Sequence, residues 1–374
     1  MASDVAPIGG MERVAFELTS RLLERGWTVT VIARSCALPR QEGLRFVRLR
    51  SPSRPVSLAL LCDFVFGSIA LRRHRAGIVQ TNNPVLPNRV DVIHAHFCEA
   101  AYRRTVGLSR SRSTSPAHRL NSIFVSVFTM LCERWSYRPR RVRRVVCVSA
   151  GLSREISHNY PRVSQLVRVI PNGVDPPVEP GGDRDPAVRE QLGLSEDERL
   201  ALFVGGDWHR KGLKYAIEGV AAAEGWWLAV VGAGNRHPFM DLAARLGVSE
   251  RLIFVGAVSD PGPYYAAADA FVFPSHYEAF SMAAIEAAAA GLPLVVPRLN
   301  GTEDYVEDGV NGWFIQRDGA AIAHRLRELG RDPAARAQMG AAAARAAERF
   351  TWARILNEWE SLYAELMAEV TPSR

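Results

Sequence analysis

Two carboxylates separated by seven residues, in Glu278-Ala-Phe-Ser-Met-Ala-Ala-Ile-Glu286, carry the sharpest chemistry in the chain. The first follows the apolar run Phe271-Val-Phe-Pro274, and the second falls one to two turns into an Ala-rich helix. A helix start beside a strand end is a ready anion site. A carboxylate one turn in can accept hydrogen bonds from sugar hydroxyls. Taken alone, Glu278 is equally a first-turn acid that complements the helix dipole.

A second constellation, Phe203-Val-Gly-Gly-Asp-Trp-His-Arg-Lys-Gly212, runs a strand into a glycine loop and opens a helix with Arg210 and Lys211. Two fixed cations at that place would neutralise a diphosphate leaving group without metal. The bland alternative is a solvated basic pair. Against it, these are two of only 19 basic residues after Ile170, and Lys211 is one of two lysines in the chain. In Val92-Ile-His-Ala-His-Phe97, His96 stands at a strand end, and His94 points the same way two residues earlier. A histidine there could accept a hydrogen bond from a sugar or share an acceptor proton; otherwise it is a polar strand-end residue.

Other patterns carry less. Asp183-Arg-Asp185 mimics a metal-binding D-x-D but lies in a Pro/Gly-rich stretch, so no metal is expected. Val231-Gly-Ala-Gly-Asn235 lacks the third glycine of a dinucleotide fingerprint and is expected to pass near a nucleotide base.

The elements that must position these residues alternate strand and helix. An amphipathic helix from about Gly10 to Arg25 precedes a strand at Trp27–Ala33, with further strands at Ile78–Thr81, Val90–Ala95, Arg144–Ser149 and Leu166–Ile170. A Pro/Gly/Asp-rich linker, Pro171 to Pro186, separates a second series of strands at Leu200–Val204, Trp227–Val231, Leu252–Val255, Ala270–Phe273, Pro293–Val296 and Trp313–Ile315. Each series makes a doubly wound parallel sheet with its ligand crevice at the carboxyl ends of the strands. The domains expected are 1–171, 172–349, and a C-terminal helix over 350–374 returning to the first domain. The glycine loop Pro7-Ile8-Gly9-Gly10 should follow a central apolar strand, yet Met1–Gly9 is not strand-like, so the first strand is expected to be missing.

With 374 residues, 48% of them hydrophobic, the chain can fill two cores and is not disordered. Five cysteines without C-x-x-C spacing exclude a disulfide scaffold or zinc ribbon. The net charge of +7 hides an asymmetry: 27 arginines against 10 acids up to Ile170 give +17, and the remainder carries −10. A basic first half calls for an anionic partner. The apolar run Val56 to Leu71 is too short to span a bilayer and is expected to be a buried crossover helix. Ile123 to Cys132 leads into Arg134 and the cluster Arg138, Arg140, Arg141, Arg143 and Arg144, either a solvated basic end or a dock for anionic lipid. Met1-Ala2-Ser3-Asp4 lacks the marks of a signal peptide.

Together the E-x7-E spacing, the N-terminal Gly-Gly loop, the Ile170-Pro-Asn-Gly-Val-Asp175 hinge strand and Glu303-Asp-Tyr-Val-Glu-Asp-Gly-Val-Asn-Gly-Trp-Phe314 resemble retaining glycosyltransferases of the GT-B fold, family 4. The resemblance covers nearly the whole chain and is strongest over 166–316. It implies an α/β protein of two doubly wound parallel-sheet domains facing across a cleft. It also implies roles. Glu286 would bind the donor ribose; Glu278 would touch the transferred sugar, with the backbone of Ala279, Phe280, Ser281 and Met282 beside sugar and diphosphate. Arg210 and Lys211 would hold the diphosphate, Gly9 and Gly10 would let backbone approach the donor, and His96 would sit near the reacting sugar. Many members carry an arginine where this chain has Gly206; the Asp-x-x-Arg-Lys-Gly form instead resembles the lipopolysaccharide-core glucosyltransferase branch.

The expected activity is transfer of a hexosyl group, with retention, from a nucleotide-diphosphate sugar to a hydroxyl of a sugar or lipid-linked acceptor in cell-envelope glycolipid or polysaccharide synthesis. No cofactor or metal is required. The place expected is the cytoplasm, peripheral at the inner face of the plasma membrane, with an anionic membrane surface as partner and no nucleic acid. Two rivals remain: a nucleotide-sugar epimerase or hydrolase, and a non-catalytic module that binds membrane or anions.

Overall fold

The computed structural model describes residues 1–74, 77–84, 86–105, 116–175, 185–195 and 197–369. The chain divides into two compact units, Met1–Gly173 with Ala353–Arg374, and Val174–Trp352.

In the first unit β1 (Asp4–Val5) leads to α1 (Met11–Glu24), then β2 (Val29–Ala33), β3 (Ser35–Cys36), β4 (Leu44–Arg48) and α2 (Val56–Arg73). There follow β5 (Gln80–Asn82), β6 (Val90–Ala95), α3 (Glu99–Thr105), α4 (Pro116–Ser136), β7 (Val142–Cys147), α5 (Ala150–Asn159) and β8 (Val167–Val169). All pairings are parallel: β5-β6-β7-β8 form one sheet, β2-β4 a second and β1-β3 a third. Helix α1 buries Val14, Leu18 and Leu22, the stripe its spacing predicts.

The segment ahead of the glycine loop contains one strand, the two-residue β1, which pairs with β3. Residues Met1–Val5 run between β2 and β5 and are hydrogen-bonded to both. Ala2 N donates to Ile32 O and Arg34 N to Ser3 O on one side; Asn82 N donates to Met1 O on the other. Only Val5 among them is buried and apolar, so the segment carries no apolar run to betray it. Beside this segment lies a pocket of about 380 Å³, lined by Val5, Leu18, Val31, Val79, His94 and Tyr363 among others.

The second unit contains α6 (Pro186–Gln191), β9 (Arg199–Val204), α7 (Leu213–Ala221), β10 (Trp226–Val231), α8 (His237–Arg245), β11 (Leu252–Gly256), α9 (Gly262–Ala267) and β12 (Ala270–Val272). It continues with α10 (Met282–Ala289), β13 (Leu294–Val296), α11 (Thr302–Tyr305), β14 (Gly312–Phe314), α12 (Gly319–Arg331) and α13 (Pro333–Ala347). Six parallel strands lie in the order β11-β10-β9-β12-β13-β14. Successive connections go one way from β9 to β11 and the other way from β12 to β14. The switch point of the sheet therefore falls between β9 and β12, where a doubly wound sheet opens its ligand crevice. Leu200, Leu202, Phe203, Phe271 and Phe273 fill the core at this junction.

The last helix, α14 (Trp352–Ala368), packs on the first unit. Trp359 lies edge-on to His94 with ring centroids 4.8 Å apart, and Tyr363 OH donates to Gln80 Oε1 at 2.6 Å. Its acids take up two arginines of the basic cluster: Arg144 pairs with Glu365 at 2.5 Å and Arg143 with Glu369 at 2.8 Å, Arg143 also reaching Asp91. The five arginines therefore do not form one free surface.

Candidate functional site

At the switch point, β9 ends at Val204 and runs into the loop Gly205–Gly212. Gly205 takes φ +134°, and a Cβ there would stand 2.5 Å from Lys211 Nζ; the missing side chain is what lets the lysine fold back over the loop. Asp207 is held at φ +47°, a strained value for a residue with a Cβ. The Trp208 indole donates to Gly205 O at 2.9 Å, and its ring fills the place a side chain at Gly234 would need. The Val231–Asn235 loop thus lies against the cation loop, with Gly232 backbone packed on Gly205. Gly206 faces Ala233 O.

The strand β12 delivers the other half. Arg210 Nε donates to Asp207 Oδ2 at 2.9 Å, while Nη1 donates to Tyr277 O at 2.6 Å and to Glu278 Oε1 at 3.1 Å. Ser275 Oγ donates to the same Glu278 oxygen at 2.9 Å. Burial opposes the arginine's charge, but Glu278 and Asp207 more than offset it and hold its pKa up. Lys211 differs. Its ammonium sits 4.7 Å from the centre of the Phe273 ring and has no hydrogen bond or ion pair among the described residues. Burial holds its pKa down, only partly countered by Glu278. A half-buried cation with no hydrogen bond or ion pair of its own is what a site for an anionic ligand needs.

Ser281 caps α10 from the left-handed region, at φ +67°, with its Oγ buried and unpartnered. The first turn of α10 leaves amides without helical partners at that end, so its dipole and the two cations favour the same sign of ligand. Phe280 is buried, its carbonyl closed over by Gly301, where a Cβ would come within 2.1 Å. One turn into α10, Glu286 Oε2 accepts from Tyr265 OH at 3.0 Å.

The structure thus gathers Gly206, Arg210, Lys211, Glu278, Ala279, Phe280, Ser281, Met282 and Glu286 on two adjoining loops and one helix start. Asp207, Tyr265 and Ser275 were not singled out in the sequence. Only Asp207 had a signal, standing three residues before Arg210.

Gly9, Gly10 and His96 belong to the first unit. Gly9 takes φ +101°, and Gly10 opens α1 with free space where a side chain would be. Asn83, also at positive φ, links them: its Nδ2 approaches Met11 Sδ at 3.0 Å and its Oδ1 accepts from His96 N at 3.0 Å. The His94 and His96 rings are 4.0 Å apart, and each has a buried Nε2 without a partner. Burial lowers the His96 pKa to about 4, so the ring is neutral near pH 7.

Among the described residues no three or more His, Cys, Asp or Glu group as metal ligands. Asp183 lies outside the described residues, and Asp185 is the N-cap of α6, accepting from Ala187 N and Val188 N.

Cations and carboxylates at the switch point of a parallel sheet define a doubly wound α/β protein with an anion-accepting crevice. The family described as glycosyl transferases group 1 matches residues 185–346, and glycosyltransferase family 4 matches residues 8–177. A D-inositol 3-phosphate glycosyltransferase of Streptomyces avermitilis is 30% identical over 340 residues, covering 83% of this chain and 70% of the relative. Two solved structures share the fold. WaaG, a glycosyltransferase involved in lipopolysaccharide biosynthesis, superposes with TM-score 0.79 at 21% identity over the whole of both chains. Anabaena Alr3699/HepE in complex with UDP-glucose gives 0.71 at 19%, covering 99% and 98%. This chain belongs to the group 1 glycosyl transferases and has the GT-B fold.

Proposed function

We propose that the chain is a retaining hexosyltransferase. It moves a sugar from a nucleotide-diphosphate sugar to a hydroxyl of a sugar or lipid-linked acceptor, in the synthesis of cell-envelope glycolipid or polysaccharide at the cytoplasmic side. The observation that carries the reading is Lys211, half-buried and without an ion pair of its own among the described residues, next to Arg210 and on the same crevice as the start of α10. As the bond from sugar to diphosphate breaks, negative charge grows on the leaving oxygens. Fixed cations and helix amides meet that charge without reorganising, which is usually the largest single term in catalysis. No metal is needed for it. The acceptor hydroxyl attacks from the face the diphosphate leaves, and its proton passes to the leaving phosphate. Glu278, tied to Arg210 and Ser275, serves as an acceptor for sugar hydroxyls rather than as a nucleophile.

Glu286 takes the ribose hydroxyls. Between the two histidines, His96 is assigned to the reacting sugar, because His94 packs against Trp359 within the core. The solved UDP-glucose complex of the Anabaena protein supports a nucleotide-diphosphate sugar as donor. The Streptomyces relative is named for an inositol phosphate, an anion, which agrees with the basic first half.

The test is a panel of nucleotide-diphosphate sugars screened by saturation-transfer NMR, then incubation with acceptors and assignment of the anomeric linkage. A product of inverted configuration would refute retention. Donor consumed to an epimer without any acceptor would replace the transferase reading.

A further inference from the structure

Helices α2 and α4 are built inside out. Helix α2 turns Asp63, Gly67 and Ser68 into the protein and leaves Leu58, Leu61, Val65, Phe66 and Ile69 exposed. Helix α4 does the same: Cys132, Glu133 and Ser136 are buried, while Leu120, Ile123, Phe124, Val127, Leu131 and Trp135 are exposed. Those α4 positions recur at three and four residues, so they form one stripe along the helix. The two helices meet at Phe64 and Phe128, whose rings lie edge-to-face at 5.6 Å, and Phe124 stacks on Phe128. Phe64 and Phe128 are half-buried, and the exposed side chains flank this seam. The buried crossover helix expected over Val56–Leu71 is therefore corrected: it buries one face, Ala59, Asp63, Gly67, Ser68 and Leu71, and leaves most of its large apolar side chains exposed.

Charge says what covers this face. In 50–74 and 119–141 the only acids are Asp63 and Glu133, and both are buried. The exposed charges are all arginines: Arg50, Arg54, Arg72 and Arg73 around α2, and Arg119, Arg134, Arg138 and Arg140 around α4. Arg141 and Arg138 lie over the Trp135 ring at 4.2 and 5.0 Å, and the indole N–H donates to Pro87 O. A half-exposed tryptophan rimmed by arginines is suited to the boundary between acyl chains and headgroups. A second copy of the same face would set arginine against arginine. Neither helix is long and apolar enough to cross a bilayer.

We infer that the α2/α4 face is an interfacial membrane dock that takes an anionic phospholipid leaflet, with the apolar stripes in the acyl boundary and the arginine rim on the headgroups. Arg143 and Arg144, held by α14, take no part. The inference does not depend on the reaction catalysed, and no sugar donor enters its test.

Vesicle flotation of the full chain decides it, using phosphatidylcholine alone and phosphatidylcholine with phosphatidylglycerol. Wild type should float with the anionic vesicles and bind neutral ones about tenfold less. Replacing Leu61, Phe66, Phe124 and Leu131 together by serine should abolish flotation with unchanged circular dichroism. Should that variant misfold, single Phe66→Ser and Leu131→Ser variants should each weaken binding about threefold or more. Arg72→Gln with Arg73→Gln should weaken it and flatten its salt dependence. Wild type that does not float, or serine variants that float as wild type does, would overturn the inference. So would a wild-type dimer that the serine variants convert to monomer without any vesicle binding, since the face would then join two copies.

Discussion

Arg210 Nη1 stands 3.1 Å from Glu278 Oε1, joining residues 68 positions apart across the switch point of the second sheet. The cation loop after β9 and the carboxylate loop after β12 are therefore one assembly, and neither can be changed alone. Glu278→Gln leaves Arg210 with Asp207 as its only acid partner among the described residues. Turnover should fall by roughly 10²-fold, the scale of one lost charge-stabilising group. Steady-state kinetics checks this, and full activity in the variant would remove Glu278 from the site.

Lys211→Met should stabilise the protein while disabling it. The lysine loses more to desolvation than Glu278 returns and has no ion pair among the described residues, so the charge costs folding energy that a methionine of similar length would not. A lysine whose pKa is lowered on folding releases its proton more readily than in the unfolded chain. Stability should therefore rise with pH between the lowered value and the ordinary 10.5. Thermal unfolding between pH 7 and 10 should show that slope in wild type and a flatter one in the variant, whose turnover drops by roughly 10²-fold or more.

Glu286→Ala should act on binding rather than chemistry. Loss of a charged acceptor for donor hydroxyls should raise donor KM about tenfold or more, with turnover within about threefold. Tyr265→Phe removes only the hydroxyl that orients this carboxylate, and should raise KM by about two- to fivefold. A fall in turnover with unchanged KM would reverse the assignment.

Gly212→Ala pits a backbone clash against a backbone preference. Gly212 takes φ +77°, and a Cβ would lie 2.2 Å from Pro274 O. Gly193 has nearly the same φ, +71°, but open space around it. Gly193→Ala should cost about 1–2 kcal/mol from the left-handed conformation alone. Gly212→Ala should cost at least about twice that, because the Pro274 backbone after β12 must also move. Equal losses in urea unfolding would mean the close approach carries no energy.

Glu133 adds a pH term in the first unit. It is fully buried, its oxygens accept from Glu99 N at 2.7 Å and Tyr160 OH at 2.6 Å, and burial pushes its pKa up to about 7. A carboxyl raised on folding contributes stability that is complete below its ordinary value near 4.5 and is lost as pH rises through 7. Glu133→Gln should unfold at the wild-type temperature near pH 5 and at a higher one near pH 8. No pH dependence in that difference would contradict the raised pKa.

Most of the second unit is legible in sequence because its strands are buried on both faces and read as apolar runs bounded by glycine and proline. Arg210, Lys211, Glu278 and Glu286 were legible for a local reason, their spacing around strand ends. What was hidden depended on distant partners. Met1–Val5 is tied by backbone hydrogen bonds to Ile32, Arg34 and Asn82, with Asp4 interrupting any apolar signal. Arg143 and Arg144 looked free until α14 brought Glu365 and Glu369 from over 220 residues away. The exposed faces of α2 and α4 were hidden for a different reason. Apolar periodicity locates a stripe but does not say which way it points.

Val174 and Thr351 are bridge partners, with Val174 N donating to Phe350 O and Trp352 N to Val174 O. The chain thus leaves the first unit and re-enters it through one doorway. Topologically the second unit is an insertion with adjoining ends, the arrangement that lets a domain be moved between hosts. Residues 174–352 form a cassette that could be recombined with a different first unit by splicing at two adjoining junctions.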